Sequence, residues 1–414
     1  MSAWSIFPGL NRAGWLRTAD WFALAVAVTL PWSTTATGIF IALWLIAILP
    51  AMEFGMLRRE LASAAGFLPV ALWVLAAIGM LWADVTWAER LAGLGKFHRL
   101  LLIPMLFAHF RASARGVYVV YGFFASVLLL LVVSWGLAVI PGLSWRGMHQ
   151  PGVPAKDYIF QSTDFLICAF ALLGYAVAEG RARRWRLALV LIALAGLFLA
   201  NIFFVISSRT SFVVAPALLL LFGWRQFGWR GSVGAGLIGV LLGSALWFGS
   251  PYVRERIDNS LIEFRDYRER NTLSSTALHL EFLRKSVLFI EAAPIVGHGT
   301  GSIGEEFRDA SLGQTGLGSE LSQNPHNQIF AVAIQLGIVG AALLLAMWAA
   351  HLMLFAREGL MAWLGLVLVT ENIVSSLFHS HLSDFTSGWL YVFGVGVLGG
   401  MVLRERDAVA VSAP

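Results

Sequence analysis

Apolar runs separated by short polar turns recur along almost the whole of the 414-residue chain. A helix crosses a bilayer in about 20 apolar residues, somewhat fewer where flanking side chains snorkel. Twelve runs meet that requirement, at 19–34, 36–51, 64–82, 97–110, 116–140, 160–178, 187–206, 210–223, 232–249, 327–350, 360–377 and 387–403. The rhythm fails at one place, residues 251–325, where the chain stays polar. The expected fold is all-α: a polytopic integral membrane protein of about 12 transmembrane helices, residues 1–414 forming a single membrane domain with 251–325 as one large helical loop.

Composition agrees with a membrane solvent. Hydrophobic residues make up 58% and charged residues 13%, where soluble domains carry roughly 25% charge. Arginine and lysine then set the orientation, because translocation disfavours positive charge in short loops. With the N-terminus inside, the inner segments gather Arg58, Arg59, Arg111 and the run from Arg181 to Arg186, among others, while the short outer loops hold only Arg90, Lys96, Arg99, Arg146, Lys156 and Arg209. The loop 251–325 is therefore expected on the outer, periplasmic face. The net charge of +5 reflects this topology and no nucleic-acid partner. Cys168 is the only cysteine, which excludes an intrachain disulfide. The first span lacks a small-residue cleavage site and is expected to be retained.

Within the loop, Ile257, Leu261, Phe264 and Arg268 recur at helical spacing, as in a helix lying in the headgroup region. Its arginines Arg265, Arg268 and Arg270 either face water or turn inward to an anion. A second helix is expected from Ser275 to Glu291, stopped by Pro294 and a glycine run. Gly299, Gly301 and Gly304 have the GxGxxG spacing, but no strand precedes them and no acidic partner follows, so they are read as allowing tight turns and close approach. In Asn324-Pro325-His326-Asn327, Asn324 is the expected N-cap and Pro325 the first helical residue. His326 would then lie in the first turn, held neutral by the helix dipole, above small residues including Gly337 and Gly340 that allow close helix contact.

Arg209, in Ser207-Ser208-Arg209-Thr210-Ser211, sits between two spans with scarcely any loop. Charge at such depth points to function, although an interface anchor reads the same way. Lys96 and Arg99 either extend a positive rim or anchor their span. His379, His381 and Asp384 form an H-x-H-x-x-D cluster that zinc could use, but no second cluster accompanies it. His109 and His351 read as interfacial; of the outer histidines His98, His149, His279 and His298, His279 sits best for a supporting role. An outer site of arginines and a histidine suits a phosphate-bearing substrate, guanidinium holding a leaving pyrophosphate and imidazole taking a hydroxyl proton. No D-x-D pair exists and the one E-x-D, Glu405 to Asp407, lies in the inner tail, so neither metal nor cofactor is expected.

These residues resemble a known family. His326-Asn327, nine residues, then Gly337-Ile338-Val339-Gly340 is similar to the H-[NSQ]-x9-G-x-x-G signature of bacterial O-antigen ligases. Pro294 to Ser302 resembles the family's glycine segment, and Ser207 to Ser211 its intramembrane serine-arginine motif. The resemblance implies an inverting, metal-independent transfer of O-antigen glycan from undecaprenyl pyrophosphate to lipid A–core at the periplasmic face of the bacterial inner membrane. It implies pyrophosphate binding by Arg209 with loop arginines such as Arg265, and acceptor activation by His326. Asn327, Ser208, Lys96, Arg99, Arg268, His279 and Arg284 are candidates for substrate binding, and Gly337, Gly340, Gly299 and Gly301 for the structural motif. Many members of the family carry arginine where His279 stands, which leaves the second phosphate-binding residue open. No paired carboxylates suggest retention, although Glu281, Glu305, Glu306 and Glu320 offer alternative bases. An O-antigen polymerase or a protein O-oligosaccharyltransferase would share the donor. A lipid-linked glycan flippase would instead call for midplane charges and inverted repeats, of which few are visible.

Overall fold

In a computed structural model, residues 11–145, 151–206, 208–249, 254–255, 258–259, 262–265 and 274–412 are described. Among them every regular element is helical and no strand occurs. Seven helices are long and apolar enough to cross a membrane, or up to nine if each of two bent pairs counts as one span. The chain is thus a multi-pass membrane protein. Ile257, Leu261, Arg268 and Arg270 of the expected loop helix, with Arg146, His149 and Ser207, lie outside the described residues.

Each of the twelve apolar runs falls on a helix, and the caps explain where the ends differ. The first helix, α1 (Arg12–Thr29), starts well before the apolar run because the Asn11 side chain accepts from the Gly14 N–H. Ser33 and Ser63 cap α2 (Thr34–Ile48) and α4 (Ala64–Gly79) in the same way. The short α3 (Phe54–Leu61) meets α4 at 91°. Thr86 and Glu89 close a capping box on α5 (Trp87–Gly95), which bends by 44° into α6 (Leu102–Ala112). Then follow α7 (Gly116–Val139), α8 (Tyr158–Arg181) and α9 (Trp185–Asn201). The eighth and ninth runs form one continuous element, α10 (Ser211–Gly249), that reverses at Gly228 (φ 67°, ψ −160°). A Cβ on Gly223 would meet the Gly231 carbonyl at 2.4 Å, so the two arms lie back to back.

The loop contributes α11 (Ser275–Ala292) and α12 (Ile303–Asp309), and the chain closes with α13 (Gln328–Phe355), α14 (Leu360–Ser375) and α15 (Phe385–Ser412). The packed centre is α8, α14 and α15, whose facing side chains are almost wholly buried. His109 and His351, read from the sequence as interfacial, are both fully buried among the helices. Trp44 donates to His109 Nδ1 at 3.1 Å, and Asp20 faces its Nε2 at 3.0 Å. His351 bridges the Tyr391 hydroxyl (2.6 Å) and the Ala65 carbonyl (3.0 Å). Nearby, Arg111 joins Glu60 of α3 to Asp407 of α15.

At the opposite end of α4 lies the feature that positions the site. Gly337 breaks α13 with φ 61° and ψ −161°, a conformation that only glycine adopts at low cost. Two rungs of the helix open there, and the glycine segment fills them. The carbonyls of Ile334 and Gln335 accept from His298 N–H (2.8 Å) and Gly299 N–H (2.9 Å), while Ile338 and Val339 donate to Pro294 (2.9 Å) and Ile295 (3.4 Å). The same segment caps α4, Thr300 donating through its amide to Gly79 (3.1 Å) and through its hydroxyl to Ala76 (2.6 Å). Gly337 is therefore a breaking residue, not the helix-packing one expected. Gly299 and Gly301 do make the close approach expected of them: at φ 92° and 97° they run against Ala83 and Glu89, with no room for a Cβ.

A side chain at Gly337 would meet the Ile295 carbonyl at 2.1 Å. Gly337→Ala is expected to lower the unfolding temperature in detergent by at least about 5 °C, whereas Gly234→Ala, in a helix with open space around it, should leave it unchanged; differential scanning fluorimetry reads both.

Candidate functional site

Beside this junction a cavity of about 750 Å³ opens between the start of α8, the Ser208–Phe212 turn, residue Glu263, α11 and the loop before α15. Arg209, Ser208, His279 and His326 all line it. A smaller cleft of about 80 Å³ among Val26, Phe123 and Leu390 is lined by apolar residues alone and offers no chemistry.

His326 is not in the first turn of α13. Asn327 is the cap, its side chain accepting from the Phe330 N–H at 3.1 Å. His326 precedes it in the left-handed region (φ 56°). Asn324, the cap expected from the sequence, instead accepts from the His326 N–H (2.9 Å) and the Ser380 hydroxyl (2.6 Å). Asn327 also donates to the Leu377 carbonyl at 3.2 Å, so it ties the turn to the last loop without lining the cavity.

Three imidazoles meet here. The His326 ring lies 4.3 Å from His279 and 6.1 Å from His379, centre to centre, and stacks on Phe282 at 6.0 Å. Its buried Nδ1 has no partner among the described residues. The Ser275 carbonyl accepts from His279 Nδ1 at 2.9 Å, which leaves Nε2 for the cavity. Burial, reinforced by His279, lowers the His326 pKa to about 4. His326 is thus neutral at ordinary pH, as expected, but desolvation and a neighbouring imidazole accomplish it.

Arg209 faces Glu263 across two nitrogens at 3.2 to 3.3 Å and donates to the Thr276 hydroxyl at 2.8 Å. Burial disfavours the Glu263 carboxylate, yet the hydrogen bonds from Thr276 and Arg209 outweigh it and hold the pKa below the usual value. Glu263 and Thr276 escaped the sequence reading. The signal was there: a guanidinium at membrane depth needs a counter-ion, and Glu263 is a carboxylate of the facing loop.

Other candidates lie elsewhere. Arg265 is exposed and outside the cavity lining. Arg284 pairs with Glu281 at 2.6 Å on the outer side of α11. Arg99 is buried, its guanidinium donating to the Asp384 and Phe385 carbonyls and resting 5.6 Å from the Trp389 ring. That makes it a clamp on the start of α15, outside the lining of the first cavity. Lys96 lines a separate cavity. The H-x-H-x-x-D cluster does not converge either. His379 faces the first cavity with Thr210 at 3.3 Å, His381 is buried, and Asp384 accepts from the Ser387 N–H at 3.1 Å. Among the described residues no group of three or more His, Cys, Asp or Glu side chains is arranged to hold a metal.

Residues 194–345, from within α9 through Arg209, Glu263, His279 and His326 to beyond the break at Gly337, match the family model described as O-antigen ligase. That match supports the O-antigen ligase family. No curated protein matches the chain. The family so described implies glycosyl transfer of ligase or polymerase type by a membrane enzyme.

The buried imidazoles give stability a pH dependence. His326 and His379 titrate at about 4 and His381 at about 3, in each case chiefly through burial, whereas an unfolded histidine titrates near 6.5. Between those values the unfolded chain takes up protons that the folded chain refuses, so stability is complete above about 6.5 and falls as pH drops toward 4. The unfolding temperature is expected to fall by several degrees between pH 7.5 and 5, with a shallower slope in His379→Gln.

Proposed function

We propose that this protein is an O-antigen ligase, transferring glycan from undecaprenyl pyrophosphate to lipid A–core at the periplasmic face of the inner membrane, through about twelve spans with 251–325 outside. The observation that carries the reading is one cavity in which a deep arginine and a neutral histidine, remote in sequence, face the same space. Its volume of about 750 Å³ suits a pyrophosphate with its first sugars. Leu280, Leu283, Leu377 and Phe378 supply an apolar flank for the polyprenyl chain.

On this reading pyrophosphate exchanges for Glu263 on Arg209, one anion for another in the same guanidinium fork. The acceptor hydroxyl attacks the anomeric carbon from the face opposite the pyrophosphate, the bond to the phosphate oxygen breaks, and the hydroxyl proton passes to His326. The configuration inverts, and the guanidinium stabilises the charge that develops on the leaving group. Ser208 and Thr276 add hydroxyl donors, and His279 adds a second nitrogen beside the base.

A base of pKa about 4 is a weak one. The bound pyrophosphate corrects this: its negative charge favours the imidazolium and raises the His326 pKa once the donor is in place. The empty site keeps the base unprotonated, and the substrate strengthens it.

His326→Ala is expected to slow transfer by about 10²–10⁴-fold at unchanged donor binding, and Arg209→Ala to weaken donor binding and slow transfer by about 10²-fold or more. Purified protein with lipid-linked donor and lipid A–core, assayed in excess EDTA, tests both; wild-type rate in either variant would sink that residue's role. Because kcat/KM reports the free enzyme and kcat the complex, the acid limb of kcat should lie at higher pH than that of kcat/KM for the donor. Coincident limbs would contradict substrate tuning of the base.

A further inference from the structure

Just before the turn that delivers His326, the chain lines a second cavity, of about 450 Å³, between α5, the glycine segment, α12 and Leu321–Gln323. Gly93, Gly301, Gly304, Glu89, Arg308 and Gln323 line it, with Lys96 at the C-terminal end of α5. His326, three residues beyond Gln323, lines the first cavity.

Lys96 is the anomaly. The chain has only three lysines, and two are fully engaged with protein oxygens. Lys285 is buried with the Ser311 hydroxyl (3.0 Å) and the Gly318 (2.6 Å) and Glu320 (3.3 Å) carbonyls around its ammonium. The Lys156 ammonium donates to the Leu30 carbonyl. Lys96 is half-buried, and among the described residues it has neither hydrogen bond nor ion pair. The other cation of the cavity, Arg308, is spent on Glu305 and on Glu89 at 3.4 Å. A cation at a helix C-terminus gains a little from the dipole, and partial burial without a counter-charge carries a cost, so an anion from outside the chain would find an unengaged ammonium here.

We infer that this second cavity is the acceptor subsite, and that Lys96 binds an anionic substituent, phosphate or carboxylate, on the acceptor saccharide. The inference rests on the reading of the protein as a glycosyl transferase with its donor at Arg209. A sugar fits better than a bare lipid headgroup, since the exposed amide of Gln323 and the polar side chains of Ser322 and Gln335 in the same lining suit a hydroxyl-rich ligand. The position fits as well, because Gln323 of this lining lies three residues before His326 of the first cavity.

The test is equilibrium binding of lipid A–core to the purified full chain, in detergent and without donor, for wild type, Lys96→Ala and Lys96→Arg. Binding of undecaprenyl pyrophosphate is measured on the same preparations. Lys96→Ala should weaken lipid A–core binding about tenfold or more, Lys96→Arg should largely restore it, and undecaprenyl pyrophosphate should bind all three alike. Phosphatase-treated acceptor should bind wild type and Lys96→Ala equally if phosphate is the anion; an uncharged, carboxyl-reduced core does the same for carboxylate. Unchanged acceptor binding in Lys96→Ala would overturn the inference, and so would a loss equal for charged and uncharged acceptors, or full competition by phosphatidylglycerol vesicles. None of these touches the donor site, whose failure would show as undecaprenyl pyrophosphate binding that ignores Arg209→Ala. Matching unfolding temperatures for the three proteins exclude misfolding as the cause.

Discussion

Backbone hydrogen bonding without water is the constraint on which this structure turns. Inside a bilayer an unpaired N–H or C=O costs several kcal/mol, yet α13 opens two of its rungs at Gly337. The break persists because Pro294 to Gly299 presents two donors and two acceptors in matching register, replacing each lost partner. Thr300 extends the same service to the last carbonyls of α4. A segment between helices thereby becomes part of the helix packing, and α4, α5, α11 and the N-terminal end of α13 are fixed relative to one another. Positive φ at Gly297, Gly299, Gly301 and Gly337 is what lets two backbones come this close.

The reactive geometry inherits that rigidity. His326 occupies a left-handed conformation that costs a non-glycine residue about 1 kcal/mol or more. Asn324 holds its amide from one side and Asn327 starts the helix on the other, each contribution being about 1 kcal/mol. The result turns the imidazole out of the helix and into the cavity, where burial strips its proton. Across the space, Arg209 is held by Glu263 and Thr276. A neutral imidazole and a paired guanidinium thus face one cavity.

Hydropathy made the helices legible because in lipid the apolar run is itself the structural requirement. It read depth along the membrane normal but not position across the bundle, which is why His109 and His351 were placed at an interface when they lie in the core. Gly337 in an apolar run looks like a packing glycine, and nothing in the run announces that a segment forty residues earlier in sequence, at about Pro294, will pair with it. The start of α13 was ambiguous for a chemical reason: Asn324 and Asn327 are both good caps, and only the tie to Ser380 decides which one begins the helix. Arg209, Ser208, His279 and His326 were recognisable singly, as charge at depth and as motif. Glu263 was not, since a guanidinium at depth accepts an external anion and an internal carboxylate equally well, and sequence alone does not choose between them.

The extended stretch from Leu321 to His326 borders both cavities, Leu321 to Gln323 lining the second and His326 the first. On the function proposed for this protein, both substrates are lipid-borne and confined to the plane of the membrane, so a single shared space would make them compete. Two cavities joined by one short stretch of chain would let a donor and an acceptor bind independently, with the histidine of the first cavity close in sequence to the wall of the second.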